Sequence, residues 1–348
     1  MRVLFDIVHP AHVHFFKHLY ADLVAEGHET LVIAREKDVT LALLDEYGIP
    51  YTSVGRSGRT DRAGQARELL TRDFTLFKAA RRFHPDLVLT RNPAGVQVAR
   101  LLPGATGVFD TDDGRAAGIH FRAAAPFAHV ITTPDCMTED YGRKHRRYPS
   151  YKALAYLHPA RFTPDPKIRG VLGVGDDPYA IVRFVEMSAS HDRDESGMSL
   201  ADKRRVIDVL ADRGRVFVSC EGAMPEEFAP LRFSVSPHLM HDALAQAWTC
   251  VGDSQTMAAE AALLGVPALR CSSFVGRLAY LEELERKYSL LESFRPTDAS
   301  RLVARLEELH PDATLAELWQ ERRAAMLADK VELTAWYRGL GDELVRGR

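Results

Sequence analysis

Cysteine is scarce and scattered. The 4 residues Cys136, Cys220, Cys250 and Cys271 form no CxxC pair. That excludes a zinc ribbon and a disulfide-stapled scaffold, and fits a reducing compartment. An excess of one charge is also lacking: 45 Lys plus Arg stand against 48 Asp plus Glu, a net charge of −3. A dedicated nucleic-acid binder would carry a clear basic excess. No apolar run approaches the ~18 residues that a membrane span needs, so no integral membrane segment is expected. The opening MRVLFDIVHP has one Arg and a short apolar run ended by Asp6. It reads as a buried strand, not a signal peptide. What is present is ordinary for a globular protein, with 46% hydrophobic and 27% charged residues. At ~150 residues per domain, a chain of 348 residues predicts two domains.

Two series of alternating strands and helices fill the chain. In the first, strands are expected at 3–8, 30–34, 51–54, 86–90, 107–110 and 130–133. Helices fall between them at 13–25, 39–47, 64–83, 95–102 and 116–127. Phe16, Leu19, Tyr20, Leu23 and Val24 give the first helix its apolar face, and Gly27 stops it. In the long helix, Leu69, Leu70, Phe74, Phe77 and Ala80 are expected on one stripe. The basic, glycine-rich stretch 55–60 reads as an exposed loop. The second series runs from a strand at 179–185 to a strand at 267–270. Such βαβα order implies parallel sheets covered on both faces. The proline-rich stretch 151–178 between the series reads as a linker.

The most specific stretch is Gly252-Asp253-Ser254-Gln255-Thr256-Met257-Ala258-Ala259-Glu260-Ala261, closed by Leu264-Gly265-Val266-Pro267. A strand ending at Gly252 and a helix opening near Thr256 leave unpaired N–H groups and partial positive charge at the turn. A diphosphate fits there. Ser254 and Thr256 add hydroxyl donors, and the Glu260 carboxylate, one turn on, suits two ribose hydroxyls. The plainer alternative is a serine that only caps the helix, with a solvated Glu260. Arg183 ends the first strand of the second series and is a candidate to grip the diphosphate as a fork. Its alternative is a surface ion pair with Glu186.

In the first series, His9 and His12 fall on the loop after strand one, at the edge that faces the ligand crevice of an open α/β sheet. A neutral His there is a candidate general base, with Asp6 to orient it. His14 and His18 read as helix residues. The histidines lack the spacing and the companion Cys of a zinc site, so no metal is expected. Asp110-Thr111-Asp112-Asp113 ends another strand at this edge, with Arg91-Asn92 at the end of the strand before it. Asp112, Asp113, Arg91 and Asn92 are candidates to bond sugar or acceptor hydroxyls, with a turn role as the alternative for the acidic pair. Arg143-Lys144-His145-Arg146-Arg147 reads as a solvated basic run.

These stretches resemble the GT-B superfamily. GDSQTMAAEAALLGVP is similar to the carboxyl-terminal nucleotide-binding element of GT-B glycosyltransferases and of the non-hydrolysing UDP-N-acetylglucosamine 2-epimerases. The epimerase element starts Gly-Asp-Ser and has a Glu six residues after the Ser, here Ser254 and Glu260. Gln255 and Thr256 replace two glycines typical of the epimerases, and Thr256 is what many glycosyltransferases have, which favours a transferase. HPAHVHFFKHLYADLVAEGHETLVIARE resembles the GT-B opening through Gly27-His28, although His9 and His12 replace its usual glycine-rich turn. TRNPAG at 90–95, YLHPARFTPD at 156–165 and FVGRLAYLEELERKYSLL at 274–291 extend the likeness. Nearly the whole chain resembles a GT-B-like family of bacteria and archaea whose reactions are largely unassigned.

The resemblance implies an α/β GT-B fold, two doubly wound Rossmann-like domains facing across a cleft. The expected division is an acceptor domain at 1–150, a linker at 151–178, a nucleotide-sugar domain at 179–314 and helices at 315–348 that pack back on the first domain. It implies a nucleoside-diphosphate sugar, UDP-linked, as donor substrate, with no cofactor besides. Arg183, Gly252, Asp253, Ser254, Gln255, Thr256 and Glu260 would hold the donor, and the loops at Ser219, Glu221 and His238 would meet its base and sugar. Helix dipole and Arg183 would meet the leaving-group charge in place of a metal. His12 or His9 would deprotonate the acceptor, which implies inversion at the sugar. The acceptor would be a small molecule or lipid-linked, the latter drawing the basic run to an anionic membrane surface. A cytoplasmic protein, peripheral to the membrane, is expected. A UDP-sugar 2-epimerase and a non-catalytic nucleotide-sugar binding protein are the alternatives.

Overall fold

A computed structural model describes residues 1–56, 62–112, 118–185, 197–220 and 224–347. The chain divides into two compact units, Met1–Arg161 with Val331–Arg348, and Phe162–Lys330. The first unit contains β1 (Arg2–Ile7), α1 (Pro10–Ala25), β2 (Glu29–Glu36), α2 (Thr40–Glu46), β3 (Thr52–Arg56), α3 (Arg62–Phe83) and β4 (Leu87–Thr90). It continues with α4 (Pro93–Leu101), β5 (Thr106–Asp110), α5 (Ile119–Ala124), β6 (Val130–Pro134), β7 (His145–Tyr148) and α6 (Leu154–Leu157). The second unit contains α7 (Ile168–Leu172), β8 (Tyr179–Phe184), α8 (Leu200–Ala211), β9 (Arg215–Cys220), α9 (Met240–Ala245), β10 (Thr249–Gly252) and α10 (Gln255–Leu264). It ends with β11 (Ala268–Cys271), α11 (Ala279–Arg286), β12 (Leu291–Phe294), α12 (Ala299–Glu308) and α13 (Ala313–Asp329), and α14 (Leu333–Arg346) returns to the first unit.

The first sheet has strand order β3-β2-β1-β4-β5-β6-β7 and the second β12-β11-β10-β8-β9. The strands of each sheet pair in parallel. Parallel neighbours need crossover helices, which cover both faces and make the strands apolar throughout. Leu4, Ile33 and Val88 are fully covered in this way in the first unit, as are Val182, Val218 and Val251 in the second. The strand order reverses beside β1 in one sheet and beside β8 in the other. Crevices at the carboxyl ends of such strands are where open α/β sheets bind ligands.

Four expectations change at this level. On α3 the inward stripe is Arg72, Leu76 and Ala80, while Phe74 is 69% exposed. The side chains of Leu69 and Leu70 lie outside the described residues. The basic run is not all solvated surface: His145–Tyr148 forms β7, paired to β6 at the end of its sheet. Charged side chains on such an edge discourage further strand pairing. The stretch 151–178 is divided: Tyr151 and Leu154–Leu157 are buried in the first unit, Ile168 and Leu172 in the second. The last helices divide likewise. Trp319 on α13 donates to Leu290 O at 3.1 Å, whereas Thr334 at the start of α14 donates to Ala155 O at 3.0 Å. Among the described residues, no helix is long and apolar enough to cross a membrane.

Candidate functional site

In the second unit, Ser219, Arg183, Gly252, Arg270 and Ser293 occupy one register position across all the strands, in the order β9, β8, β10, β11, β12. Residues in register share a face of the sheet. Both arginines bond a serine on the neighbouring strand. Arg183 Nη1 donates to Ser219 Oγ at 2.6 Å and Arg270 Nη2 to Ser293 Oγ at 3.0 Å. Gly252 has no alternative there, since a Cβ would fall 2.0 Å from the Arg183 carbonyl oxygen. Beyond Gly252 the chain turns into α10, with Ser254 as N-cap accepting from Met257 N at 3.3 Å. Gln255 is fixed from two sides: its Nε2 donates to Ser272 Oγ at 2.8 Å, and its Oε1 accepts from Arg270 Nη1. Thr256 is half-buried in the first turn. The free N–H groups and partial positive charge of a helix start therefore lie beside a row with arginines on either side of bare backbone.

Other expected donor-site residues do different work. Asp253 is 1% exposed and accepts from Val185 N at 2.7 Å, with Lys203 Nζ at 3.8 Å. Burial raises its carboxyl to about 6. It braces β10 against β8 from inside and is covered, so direct contact with a donor is corrected to support. Glu260 is buried, not solvated, and lies 3.3 Å from His241 Nε2. His238 Nδ1 lies 2.9 Å from Ser236 Oγ. Glu221 lies outside the described residues, as does Glu186.

In the first unit the carboxyl ends of β1, β4 and β5 hold two networks. Both oxygens of the fully buried Asp6 are taken, by Arg72 Nη2 at 2.6 Å and Thr90 Oγ1 at 2.9 Å. The expected orientation of a histidine by Asp6 is therefore corrected. Asn92 is also committed: its Oδ1 caps α4 by accepting from Ala94 N at 3.1 Å and takes Arg72 Nη1 at 3.2 Å. Arg91 binds Asp110 and Asp112 together. Lys152 Nζ reaches the second Asp112 oxygen at 3.0 Å. Asp110 Oδ2 accepts further from Thr132 and Tyr148 at 3.1 Å and from Tyr337 of α14 at 2.6 Å. Two cations thus neutralise two carboxylates, and the Asp112 carboxyl is held far below its ordinary value by Arg91 and Lys152 against the opposing effect of burial. Asp110 and Asp112 belong to an internal ion network, and Asp113 lies outside the described residues.

His9 is the N-cap of α1, its Nδ1 accepting from Ala11 N at 3.2 Å. His12 Nδ1 faces Val8 N at 3.5 Å. A backbone N–H can only donate, so each neutral ring keeps its proton on Nε2. Burial and then Arg91 hold the His12 pKa well below the ordinary imidazole value. Desolvation of the ring and then Lys37 lower His9 to about 4, although the residue itself is exposed. The rings lie 6.1 Å apart and offer Nε2–H donors. A base at either residue would need the other tautomer, with the Nε2 lone pair free. His14 is packed between Tyr47 and Tyr156. Sequence reasoning missed Arg72, Lys152, Tyr148, Tyr337, Lys203 and Arg270. The only signal for them was a charged or hydroxylated side chain inside an otherwise apolar run, as for Arg270 in VPALRC.

Two doubly wound parallel α/β units in one chain define a GT-B-like fold, as the resemblance implied. Residues 1–142 match a family model described as "Protein of unknown function (DUF354)". The solved structures similar to the chain include a UDP-GlcNAc 2-epimerase from Neisseria meningitidis bound to UDP-GlcNAc, at TM-score 0.65 and 12% identity, covering 98% of this chain and 99% of the other. They also include the glycosyltransferase VinC in complex with dTDP, at TM-score 0.63 and 15% identity with 100% of both chains covered. The spinosyn forosaminyltransferase SpnP matches at TM-score 0.64 and 17% identity over 99% of each chain. At these identities the likeness is one of fold. No curated protein matches the sequence.

Proposed function

We propose that the protein is a glycosyltransferase that moves a sugar from a nucleoside-diphosphate sugar, UDP-linked, to an acceptor. The observation that carries the reading is the Arg183–Gly252–Arg270 row beside the first turn of α10. Bare backbone, unpaired helix N–H groups and a guanidinium suit the charge that develops on a departing diphosphate. Ser254 and Thr256 lie in the same turn, and Glu260 follows one turn on, where it would accept from ribose. The occupancy of related folds supports the nucleotide: VinC is in complex with dTDP and the Neisseria epimerase is bound to UDP-GlcNAc. In the first unit, His9 and His12 would donate to acceptor oxygens, with Lys152 and Arg91 behind them. Inversion at the sugar would need His12 or His9 as base, in the tautomer that leaves Nε2 free.

The Gly-Asp-Ser start with a Glu six residues after the Ser favours a second reading, a sugar-nucleotide 2-epimerase. The two are separated by incubating the protein with UDP-sugars alone. A transferase leaves the sugar configuration unchanged and hydrolyses the donor slowly; an epimerase changes the configuration with no acceptor present. Before that, thermal melts with UDP, dTDP and GDP test the common element. A true site gains ~2.7 kcal/mol at a hundred times Kd, and no shift with any nucleotide overturns both readings.

A further inference from the structure

Among the described residues Arg72 and Arg270 are buried and Arg91 is mostly so, and the three are not equivalent. Arg72 is 3% exposed and paired to Asp6 at 2.6 Å. Arg91 is paired to Asp110 and Asp112. Arg270 is fully buried on β11, yet its partners are neutral: the Gln255 carboxamide oxygen and the Ser293 hydroxyl. Its Nε has no partner, and among the described residues no carboxylate forms an ion pair with it. The Glu285 and Glu282 carboxylates act on it only from longer range, and a buried cation without a direct ion-pair partner is costly, which a protein normally avoids by pairing. Burial accordingly lowers the Arg270 pKa.

The side chain that takes Arg270 Nη1 is Gln255, the first residue of α10. The unpaired guanidinium therefore stands directly behind the helix end that would receive an anion. We propose that Arg270 is a positioning residue for a diphosphate: it holds Gln255 and supplies the buried positive charge that the bound anion compensates. The proposal rests on the donor site described above. Ligand-free, the charge is a liability; ligand-bound, it is matched.

The test uses the full chain and three probes: UDP, inorganic pyrophosphate and uridine. Arg270→Met keeps the length and apolar volume and removes the charge. The expected result is a melting temperature equal to or above that of the natural protein without ligand, with Kd for UDP and pyrophosphate raised by about tenfold and uridine binding unchanged. Arg270→Lys, which keeps the charge, should restore most of the UDP affinity. Should the Met variant not fold, Arg270→Gln carries the same readout. A strut role predicts a lower melting temperature with unchanged Kd values, and that result overturns the proposal, as does an equal loss for UDP and uridine. If the natural protein itself binds neither UDP nor pyrophosphate, it is the donor-site reading that fails, a result distinct from equal binding by both proteins.

Discussion

Arg183 and Arg270 stand one on each side of Gly252, in one register across β8, β10 and β11; Arg183 is drawn outward to Ser219, while Arg270 bonds Ser293 on one side and Gln255 of α10 on the other. The middle of the row is therefore backbone alone. Glycine in a strand interior costs stability and marks a close approach of other atoms; here the atom is the Arg183 carbonyl oxygen.

Gly252→Ala should be among the most damaging small substitutions in the second unit. The added methyl would meet Arg183 O at 2.0 Å, and neither strand can retreat without breaking its ladder. Overpacking of this kind costs ~1–3 kcal/mol. Urea unfolding measures it, and nucleotide binding should weaken at the same time, because the two arginines are spread. An alanine variant of natural stability would show that the row is looser than its register implies.

Glu260 and His241 make a separate prediction. Glu260 is buried and 3.3 Å from His241 Nε2. Glu260→Gln keeps the size and one acceptor but loses the negative charge that strengthens a bond from ribose hydroxyls. UDP should bind about tenfold more weakly, whereas a nucleoside diphosphate lacking both ribose hydroxyls should bind the variant and the natural protein alike. Equal losses for the two ligands would mean that Glu260 only packs.

Asp110 is the hub through which α14 supports the carboxyl edge of the first sheet. Burial pushes the Tyr337 hydroxyl up, so it stays protonated and donates to Asp110 Oδ2 at 2.6 Å. Removing one hydrogen bond to a buried carboxylate costs ~1.5–3 kcal/mol, the expectation for Tyr337→Phe. Asp110→Ala removes the partner of Arg91 and should cost ~3–5 kcal/mol. Chemical denaturation of both variants checks the order, and a silent Tyr337→Phe would remove α14 from the network.

The regular parts of this fold were legible in the sequence because they depend on neighbours in the chain. Alternating apolar runs, Gly27 after α1, and Gly252 followed by the Ser254 cap carry their reasons locally. The pairings at the carboxyl edge of the first sheet are not local. Asp6 meets Arg72 across 66 residues and Asp110 meets Tyr337 across 227. Nothing in the neighbourhood of Asp6 distinguishes a carboxylate that orients a histidine from one already bound by an arginine on α3. The stripe on α3 failed for the same reason: an apolar count favours Phe74, while the buried Asp6 requires Arg72 on the inward face. His9 and His12 were expected on the loop after β1; His9 caps α1 and His12 lies in its first turn, and the proton on each ring depends on a backbone N–H that only that folded turn supplies.

That proton gives the last prediction. In His9 and His12 the Nδ1 atoms face backbone N–H groups, and the folded pKa values lie below the ordinary 6.5. His18 is lowered as well, to about 4, by desolvation and then Lys17. For a histidine depressed in the folded state, the unfolded chain binds more protons between the two pKa values. Stability should then be complete above pH 6.5 and fall as the pH drops towards 4. Asp253 acts the other way: raised to about 6, it favours the folded protein below that pH and loses the benefit as the pH rises through it. Burial lowers His145 too and raises Asp73, so four histidines oppose two carboxyls; the net slope in melting temperature between pH 4 and 6.5 should be positive, and steeper in Asp253→Asn. His12→Gln, which offers a donor in place of Nε2–H and does not titrate, should flatten the slope. Two-bond proton–nitrogen correlations of labelled histidine should show Nε2 protonated and no titration near 6.5 for His9 and His12. A ring protonated on Nδ1, or one titrating near 6.5, would fit the expected base.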